Sequence, residues 1–164
     1  MPANDIIFTF GKGVVPGLEM TSFSPPEDGF IWSTGLWCQL SFDSTHEAPE
    51  PPPNGVGPLE LALDLDVYKL SPDLLGQNVL FYANGLRLAS RYISGRITVM
   101  LEAPPCAIRS RGNIITIDTP DATRPADLGG SDTRRLGIQL FSLRVVGRAK
   151  GVAGRGHRTG SHNE

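Results

Sequence analysis

The sequence predicts an all-β fold, a two-sheet antiparallel β-sandwich of jelly-roll type with at most one or two short helical turns. Three observations favour this fold. The chain has 19 glycines and 14 prolines among its 164 residues, a share that interrupts long helices. Short apolar runs recur between turn residues, roughly ten residues apart. No helical periodicity separates these runs, which leaves a β-sandwich or a barrel, and the one wet face of residues 59–68 favours the two-sheet sandwich.

The apolar runs indicate roughly eight or nine strands. Residues 59–68 are the clearest case, because their odd positions are all apolar and their even positions are mostly acidic or small. Such alternation is typical of a strand with one buried face and one wet face. The other strands are predicted at residues 6–10, 37–42, 79–82, 86–88, 97–101, 113–117 and 138–146.

Turn residues predict how the strands are joined. Asn84-Gly85 between two apolar runs predicts a type I′ hairpin, which needs positive φ at both positions. Short helical turns are expected near Pro72–Leu75 and Pro125–Leu128, where proline favours a helix start.

The strands are predicted to form a single domain over residues 1–146. Within it, residues 16–29 and the proline-rich residues 44–58 are expected to be loops. Residues 147–164 are rich in glycine and basic side chains and have little apolar surface, so we expect them to form a disordered tail.

Charge is unevenly distributed, although the formal net charge is only −2. Up to residue 86 the chain has 2 basic and 11 acidic residues, and from Arg87 onward it has 13 basic and 6 acidic residues. The even total argues against a nucleic-acid partner, which would need a basic excess. Two interpretations stay open: the charges meet across strands of one domain, or a dipolar molecule associates head to tail.

Features missing from the sequence disfavour other classes of protein. No run approaches the roughly 18 apolar residues of a membrane span, so membrane insertion is not expected. The first residues lack a secretory signal, which favours a cytoplasmic location. Cys38 and Cys106 lie in apolar contexts and are expected to be buried, reduced thiols. The histidines have no metal-ligand spacing, so neither a metal nor another cofactor is predicted.

An aromatic-rich stretch, residues 25–37, is the first candidate site. Trp32 and Trp37 bring a large apolar area together, and Glu27 precedes them. One interpretation is a sugar platform, with Trp32 stacked on a pyranose ring and Glu27 bound to hydroxyl groups. The other is core packing by at least one tryptophan, because the two would face opposite sides of a continuous strand.

A charged loop, residues 119–137, is the second candidate. Arg124, Asp132, Arg134 and Arg135 are candidates to line a pocket for a sugar or for an anionic group such as a uronic acid or a phosphate. The alternative is structural. In that case Asp132 pairs with one of these arginines, or accepts local backbone N–H groups, and so orders a long loop.

No catalytic constellation stands out. There is no Gly-x-Ser-x-Gly, and His46 is the only histidine before the tail, so a nucleophilic triad lacks its base. We therefore expect a protein that is not an enzyme.

Taken together, the two motifs resemble a known group of proteins. Residues 27–35 resemble the opening of small β-sandwich accessory domains that occur with bacterial glycosyltransferases and polysaccharide-assembly proteins; the matching positions are Glu27, Gly29, Trp32, Ser33 and Gly35. Residues 124–138 resemble the closing signature of these domains, which look like carbohydrate-binding modules. The hairpin at 82–86 fits their middle, and the resemblance extends over residues 6–146.

The resemblance implies a non-catalytic carbohydrate-binding module of bacterial polysaccharide biosynthesis or recognition. Its ligand would be an oligosaccharide or polysaccharide, and a glycosyltransferase would be a partner. The alternative is a structural or assembly protein that oligomerises, or that docks a partner of the same pathway.

Overall fold

The structure, a computed structural model, describes residues 6–11, 15–43, 59–69, 75–107, 109 and 111–147. These residues form ten β-strands and two 3₁₀ turns. The strands are β1 (Ile6–Thr9), β2 (Leu18–Thr21), β3 (Ile31–Trp32), β4 (Trp37–Phe42), β5 (Leu59–Val67), β6 (Gln77–Ala83), β7 (Leu86–Ile93), β8 (Ile97–Ala103), β9 (Asn113–Asp118) and β10 (Ile138–Gly147). The 3₁₀ turns are Pro105–Ala107 and Pro125–Leu128.

The strands form two five-stranded antiparallel sheets around one core. Sheet I has the order β1-β10-β5-β8, with β3 also paired to β10, and sheet II has the order β2-β4-β9-β6-β7. Consecutive strands lie in opposite sheets, except for the β6–β7 hairpin. This winding between two sheets is that of a jelly roll, and the predicted fold class is confirmed.

The alternating side chains of β5 show how the core is built. Leu61, Leu63 and Leu65 are fully buried, whereas Asp64 and Asp66 on the opposite face are partly exposed. Each buried leucine stabilises the fold by about 1.5–3 kcal/mol relative to an exposed one. Sheet II completes the core with Cys38, Leu40, Phe42, Val79, Phe81, Ile115 and Ile117.

The Asn-Gly hairpin forms as predicted. Asn84 and Gly85 have φ values of 48° and 87°, the positive pair of a type I′ turn. The Asn84 side chain also accepts the Ile114 N–H at 2.9 Å and donates to the Ala107 carbonyl at 2.8 Å. These bonds attach the turn to its neighbours, so the asparagine serves both the turn and the sheet.

Other predictions about loops and turns have mixed outcomes. Residues 16–29 are not a continuous loop, because Leu18–Thr21 forms β2 and pairs with β4. A strand of four residues between glycine and proline is too short for its alternation to be recognised. The turn at Pro125–Leu128 is confirmed. The turn near Pro72–Leu75 falls mostly outside the described residues.

Two further predicted segments cannot be compared with the structure. The proline-rich loop at 44–58 lies outside the described residues. The predicted tail does so as well, apart from Gly147, which ends β10.

The charges of the two halves of the sequence meet across the fold. Arg96 forms a bidentate pair with Asp64, with Nε–Oδ1 at 3.1 Å and Nη2–Oδ2 at 2.7 Å. Arg134 pairs with Glu27 at 3.1 Å. Each contact joins the basic half to the acidic half, which favours interleaved charges over a dipolar molecule.

The two cysteines differ in environment, and both are free. Cys38 is buried as expected, and burial together with the nearby Asp118 charge raises the pKa of its thiol above the usual range. The expectation that Cys106 is buried is wrong. It lies exposed in the surface turn Pro105–Ala107.

Close packing secures the crossing from β3 in sheet I to β4 in sheet II. Ser33 is fully buried, and its Oγ accepts the Ile138 N–H at 2.9 Å. A Cβ at Gly137 would lie 2.6 Å from Thr119 Oγ1 and 2.7 Å from Ser33 Oγ. Since such distances are shorter than van der Waals contact, only glycine fits at position 137.

The described part of the chain contains no helix with the length and apolar character needed to cross a membrane. The same residues contain no group of three or more histidine, cysteine, aspartate or glutamate side chains that could hold a metal ion.

Replacing Gly137 by alanine is expected to lower the free energy of unfolding by about 1–3 kcal/mol, because the added methyl group overpacks the crossing. Denaturant unfolding measures the change. Gly95→Ala is the matched control, since a Cβ there meets nothing within 4 Å. Equal stability of the two variants would contradict this account of the crossing.

Candidate functional site

An open cleft lies at the end of the sandwich where the chain changes sheets. Its volume is about 550 Å³. One wall is the crossing segment after β3, and the other belongs to the charged loop 119–137. The lining residues are Thr34, Gly35, Leu36, Trp37, Arg124, Thr133, Arg134 and Arg135.

Thr119 fixes the wall formed by the crossing segment. This residue is fully buried; its N–H donates to the Leu36 carbonyl at 2.8 Å, and its Oγ1 donates to the Gly35 carbonyl at 3.1 Å. On the other side, the Thr34 N–H donates to the Ser22 carbonyl at 2.9 Å. The segment is therefore held from both sides before any ligand binds.

The charged loop is ordered by its own backbone. Thr123 and Leu136 form an antiparallel bridge, with N–H···O distances of 3.2 and 2.8 Å. Between them, the Ala126 N–H donates to the Asp132 carbonyl at 2.8 Å, and the Gly130 N–H donates to the Pro125 carbonyl at 2.9 Å. The expectation that something ties this loop down is confirmed.

Asp132 orders the loop through Arg134. Its Oδ1 accepts the Arg134 backbone N–H at 2.9 Å, and its carboxylate also accepts Nη2 at 2.6 Å and Nε at 3.0 Å. Nη1 of Arg134 reaches Glu27 at 3.1 Å. Asp132 therefore serves the structural role that was one of its two predicted roles.

These contacts shift the proton affinities of the pair. The side-chain and then the backbone hydrogen bonds from Arg134 hold the pKa of Asp132 below its ordinary value. In turn, the hydrogen bond to Asp132 raises the pKa of Arg134, and the bond to Glu27 adds to this effect. Two carboxylates therefore compensate the charge of Arg134.

Arg124 and Arg135 are less constrained. Arg135 Nη1 donates to the Ala122 carbonyl at 3.2 Å, and no carboxylate among the described residues forms an ion pair with it. The Arg124 side chain is exposed, and within the described residues no hydrogen bond or ion pair engages its guanidinium.

Trp37 lines the cleft where it meets sheet II. It starts β4 and is 45% exposed. In the register of sheet II it lies opposite Asp118, and the next outward-facing pair is Gln39 and Thr116, joined at 3.2 Å. Trp37 therefore stands at the border between a polar sheet face and the arginine loop.

Trp32 lies in a different aromatic surface, on the outward face of sheet I. Its ring makes edge contacts with Phe30 and Tyr68, each with centroids 5.9 Å apart. Phe141 extends this surface, and the Arg96 guanidinium stacks over the Phe141 ring at 3.8 Å. The expectation that at least one tryptophan packs in the core is wrong, because the crossing places both outside it.

The structure brings together most of the predicted site residues. Arg124, Arg134 and Arg135 line the cleft. Glu27 and Asp132 are not among the lining residues, but both form ion pairs with Arg134. Trp32 is not among the lining residues. Trp37 belongs to the aromatic-rich stretch of the first candidate site, but the predicted stacking residue is Trp32. The signal for Trp37 is its alternation with Gln39 and Ser41, polar residues that share the outward face of β4.

No protein-family model and no curated protein matches the sequence. Among solved structures, the CBM36-1 domain of a multidomain xylanase from the hindgut metagenome of Trinervitermes trinervoides is similar at 12% identity and a TM-score of 0.46, covering 89% of this chain and 99% of that one. CBM35 from Cellvibrio japonicus Abf62 is similar at 13% identity and a TM-score of 0.45, covering 89% and 95%.

A third likeness is to dimeric latent PorU from Porphyromonas gingivalis, at 11% identity and a TM-score of 0.49, covering 90% of this chain but 13% of that longer one. Carbohydrate-binding modules are thus among the structural neighbours. At such identities and TM-scores, these likenesses assign neither a ligand nor an activity to this chain. The class that the structure itself defines is an antiparallel jelly-roll sandwich with a shallow cleft of arginines and one exposed tryptophan.

The lowered pKa of Asp132 predicts the pH dependence of stability. A carboxylate whose pKa is lower in the folded state stabilises the fold above its unfolded pKa of about 3.9, and this stabilisation is lost as the pH falls through the folded value. Asp132→Asn should therefore melt below wild type at neutral pH, and the difference should shrink towards about pH 2. Thermal melts across this range measure it.

Asp127→Asn is the control for this measurement, because the exposed Asp127 side chain forms no ion pair with any described residue. A gap between wild type and Asp132→Asn that stays constant with pH would show that the Asp132 charge does not stabilise the loop.

Proposed function

We propose that this protein is a non-catalytic carbohydrate-binding module that binds an oligosaccharide or polysaccharide in the cleft. The observation that supports this most strongly is that the exposed Trp37 lines the same cleft as Arg124 and Arg135, on walls that are held by hydrogen bonds. A sugar ring offers an apolar C–H face and a rim of hydroxyl groups. An aromatic face next to multiple donors is complementary to both.

The shape of the cleft favours a chain of sugars over a small enclosed ligand. Small-molecule sites usually bury most of their ligand in a deep, mostly apolar pocket. This cleft is open and bordered by the polar face of sheet II, so a sugar bound there stays partly exposed and can be one unit of a longer chain. No activated nucleophile, general base or metal is needed for such binding.

The predicted site residues divide into two roles in this proposal. Arg124 and Arg135 contact the sugar directly, together with Trp37. Glu27 and Asp132 position Arg134, whose remaining surface lines the cleft. Trp32 belongs to the aromatic surface on the outward face of sheet I. In the experiment below, this surface is the alternative binding site for the sugar.

The biological setting is also part of the proposal. A role in bacterial polysaccharide biosynthesis or recognition, beside a glycosyltransferase, is supported by the resemblance of residues 124–138 to the closing signature of such accessory domains. A cytoplasmic location is supported by the exposed thiol of Cys106, which persists in the reduced form in that compartment.

Paired tryptophan variants test which surface binds sugar. A glycan array with the full chain identifies the best oligosaccharide, and calorimetry then measures its affinity. Trp37→Ala is expected to weaken binding about tenfold or more with little change in melting temperature, because the indole is half exposed and stacking is lost. Trp32→Ala should retain the affinity but melt lower, since it loses its contacts with Phe30 and Tyr68.

The opposite result has a clear meaning. If Trp32→Ala abolishes binding in a folded protein while Trp37→Ala binds normally, the sugar binds on sheet I and the cleft is not the site. If wild type retains no glycan on the array or in calorimetry, the carbohydrate-binding function is wrong.

A second candidate function, an assembly role through self-association, is favoured by one side of the sandwich. There the edge strands β7 and β8 expose Tyr92, Ile97 and Met100 at 62%, 50% and 46%. Edge strands with exposed apolar side chains are surfaces on which further chains can pair.

Light scattering tests this second candidate. If the protein assembles through this side, wild type forms a closed oligomer and Met100→Glu shifts it towards the monomer. Ile7→Glu is the matched control, because Ile7 is 62% exposed on the opposite edge strand, β1. A wild-type monomer at high concentration would reject the assembly role.

A further inference from the structure

We infer that the cleft selects sugars that carry an oxyanion, a carboxylate, phosphate or sulfate group, and that Arg124 is the principal residue that binds this group. The inference rests on the proposed function and deepens it, because it names the chemical class of sugar. It depends on how charge is compensated around the cleft.

The lining of the cleft is positively charged. Three of its residues are arginines, and none is an aspartate or a glutamate. Arg134 is paired with both Asp132 and Glu27, and these three groups together carry one negative charge. Arg124 and Arg135 add two positive charges, so the five residues retain one positive charge, and it belongs to the arginines that line the cleft.

In the described part of the chain, no carboxylate forms an ion pair with Arg124. Asp121 is engaged elsewhere, accepting the backbone N–H and the side-chain amide of Asn78 at 2.7 and 3.0 Å. Asp127 follows Arg124 by three residues but forms no ion pair with it among the described contacts. An anionic ligand would thus meet a guanidinium with its donors available, a geometry suited to bidentate binding of an oxyanion.

The backbone around Arg124 is fixed although its side chain is exposed. Arg124 is extended, with φ −93° and ψ 124°, and precedes Pro125, which starts the 3₁₀ turn. Its carbonyl accepts the Asp127 N–H at 3.0 Å, and the Thr123–Leu136 bridge holds the preceding residue. Binding would therefore cost the ordering of one side chain, not of a loop.

Asp118 determines the orientation of the sugar. In the register of sheet II it lies opposite Trp37, on the outward face of the sheet. An anionic group is repelled there and attracted by the arginine loop. The acidic group is therefore expected to face Arg124 and Arg135, with the ring stacked over Trp37 and neutral units extending towards Gln39 and Thr116.

Charged and neutral versions of the same sugar test the inference by calorimetry with the full chain. The pairs are trigalacturonate and its methyl ester, glucose 6-phosphate and glucose, and glucose 6-sulfate and glucose. At least one charged sugar is expected to bind about tenfold or more tightly than its neutral partner, and the preferred pair identifies the oxyanion. The preference should weaken at about 0.5 M salt.

Arg124→Gln is expected to remove this preference, so that the variant binds the charged sugar no more tightly than its neutral partner. Arg87→Gln is the matched control, because it removes the same charge from an exposed residue on the β7 edge. Arg124→Lys keeps the charge but not the bidentate donors, and should retain only part of the preference.

The outcomes separate the two levels of the proposal. If wild type binds charged and neutral sugars equally, or if Arg87→Gln lowers the preference as much as Arg124→Gln does, the inference is wrong but carbohydrate binding stands. If no sugar binds, whatever its charge, the proposed function itself fails. A preference lost only in Arg124→Gln supports the inference.

Discussion

The architecture of the cleft depends on buried hydrogen bonds at the crossing from sheet I to sheet II. Ser33 and Thr119 are fully buried polar residues, and each satisfies a backbone group of a distant segment: the Ile138 N–H for Ser33 and the Gly35 carbonyl for Thr119. Buried polar groups are costly unless they are paired. The crossing therefore has one arrangement, and it places Trp32 and Trp37 on different sheets.

The charged loop achieves order by a complementary route. With few apolar side chains to bury, it uses backbone bonds and the Asp132–Arg134 pair, which is only partly screened from water. An exposed ion pair alone contributes little to stability, so the Thr123–Leu136 bridge and the 3₁₀ turn must supply most of the order. Arg134 is committed to this structural role, whereas Arg124 and Arg135 form no ion pair with any described residue and keep donors available for a ligand.

Local patterns in the sequence predicted most of the fold, whereas distant contacts determined the candidate site. Alternation in residues 59–67 and the Asn84-Gly85 turn depend on adjacent residues, and both were predictable. The core-packing interpretation considered Trp32 and Trp37 on one continuous strand, and it failed because bonds that span 84 and 105 residues hold them in different sheets. No local pattern encodes such partners. By contrast, the outward direction of Trp37 follows from strand alternation, because Trp37, Gln39 and Ser41 are two residues apart and share one face of β4.

Under the proposed function, the position of the cleft also limits how tightly a sugar can bind. Since both walls are ordered in the folded protein, little conformational entropy is lost on binding. An open cleft nevertheless covers only part of a sugar chain, so single-site affinities of about 10⁻⁶ to 10⁻³ M are appropriate to it. Selectivity must then come from paired charges and the one aromatic face, not from buried area. Retention on a polymer would depend on repeated units that present the same group many times.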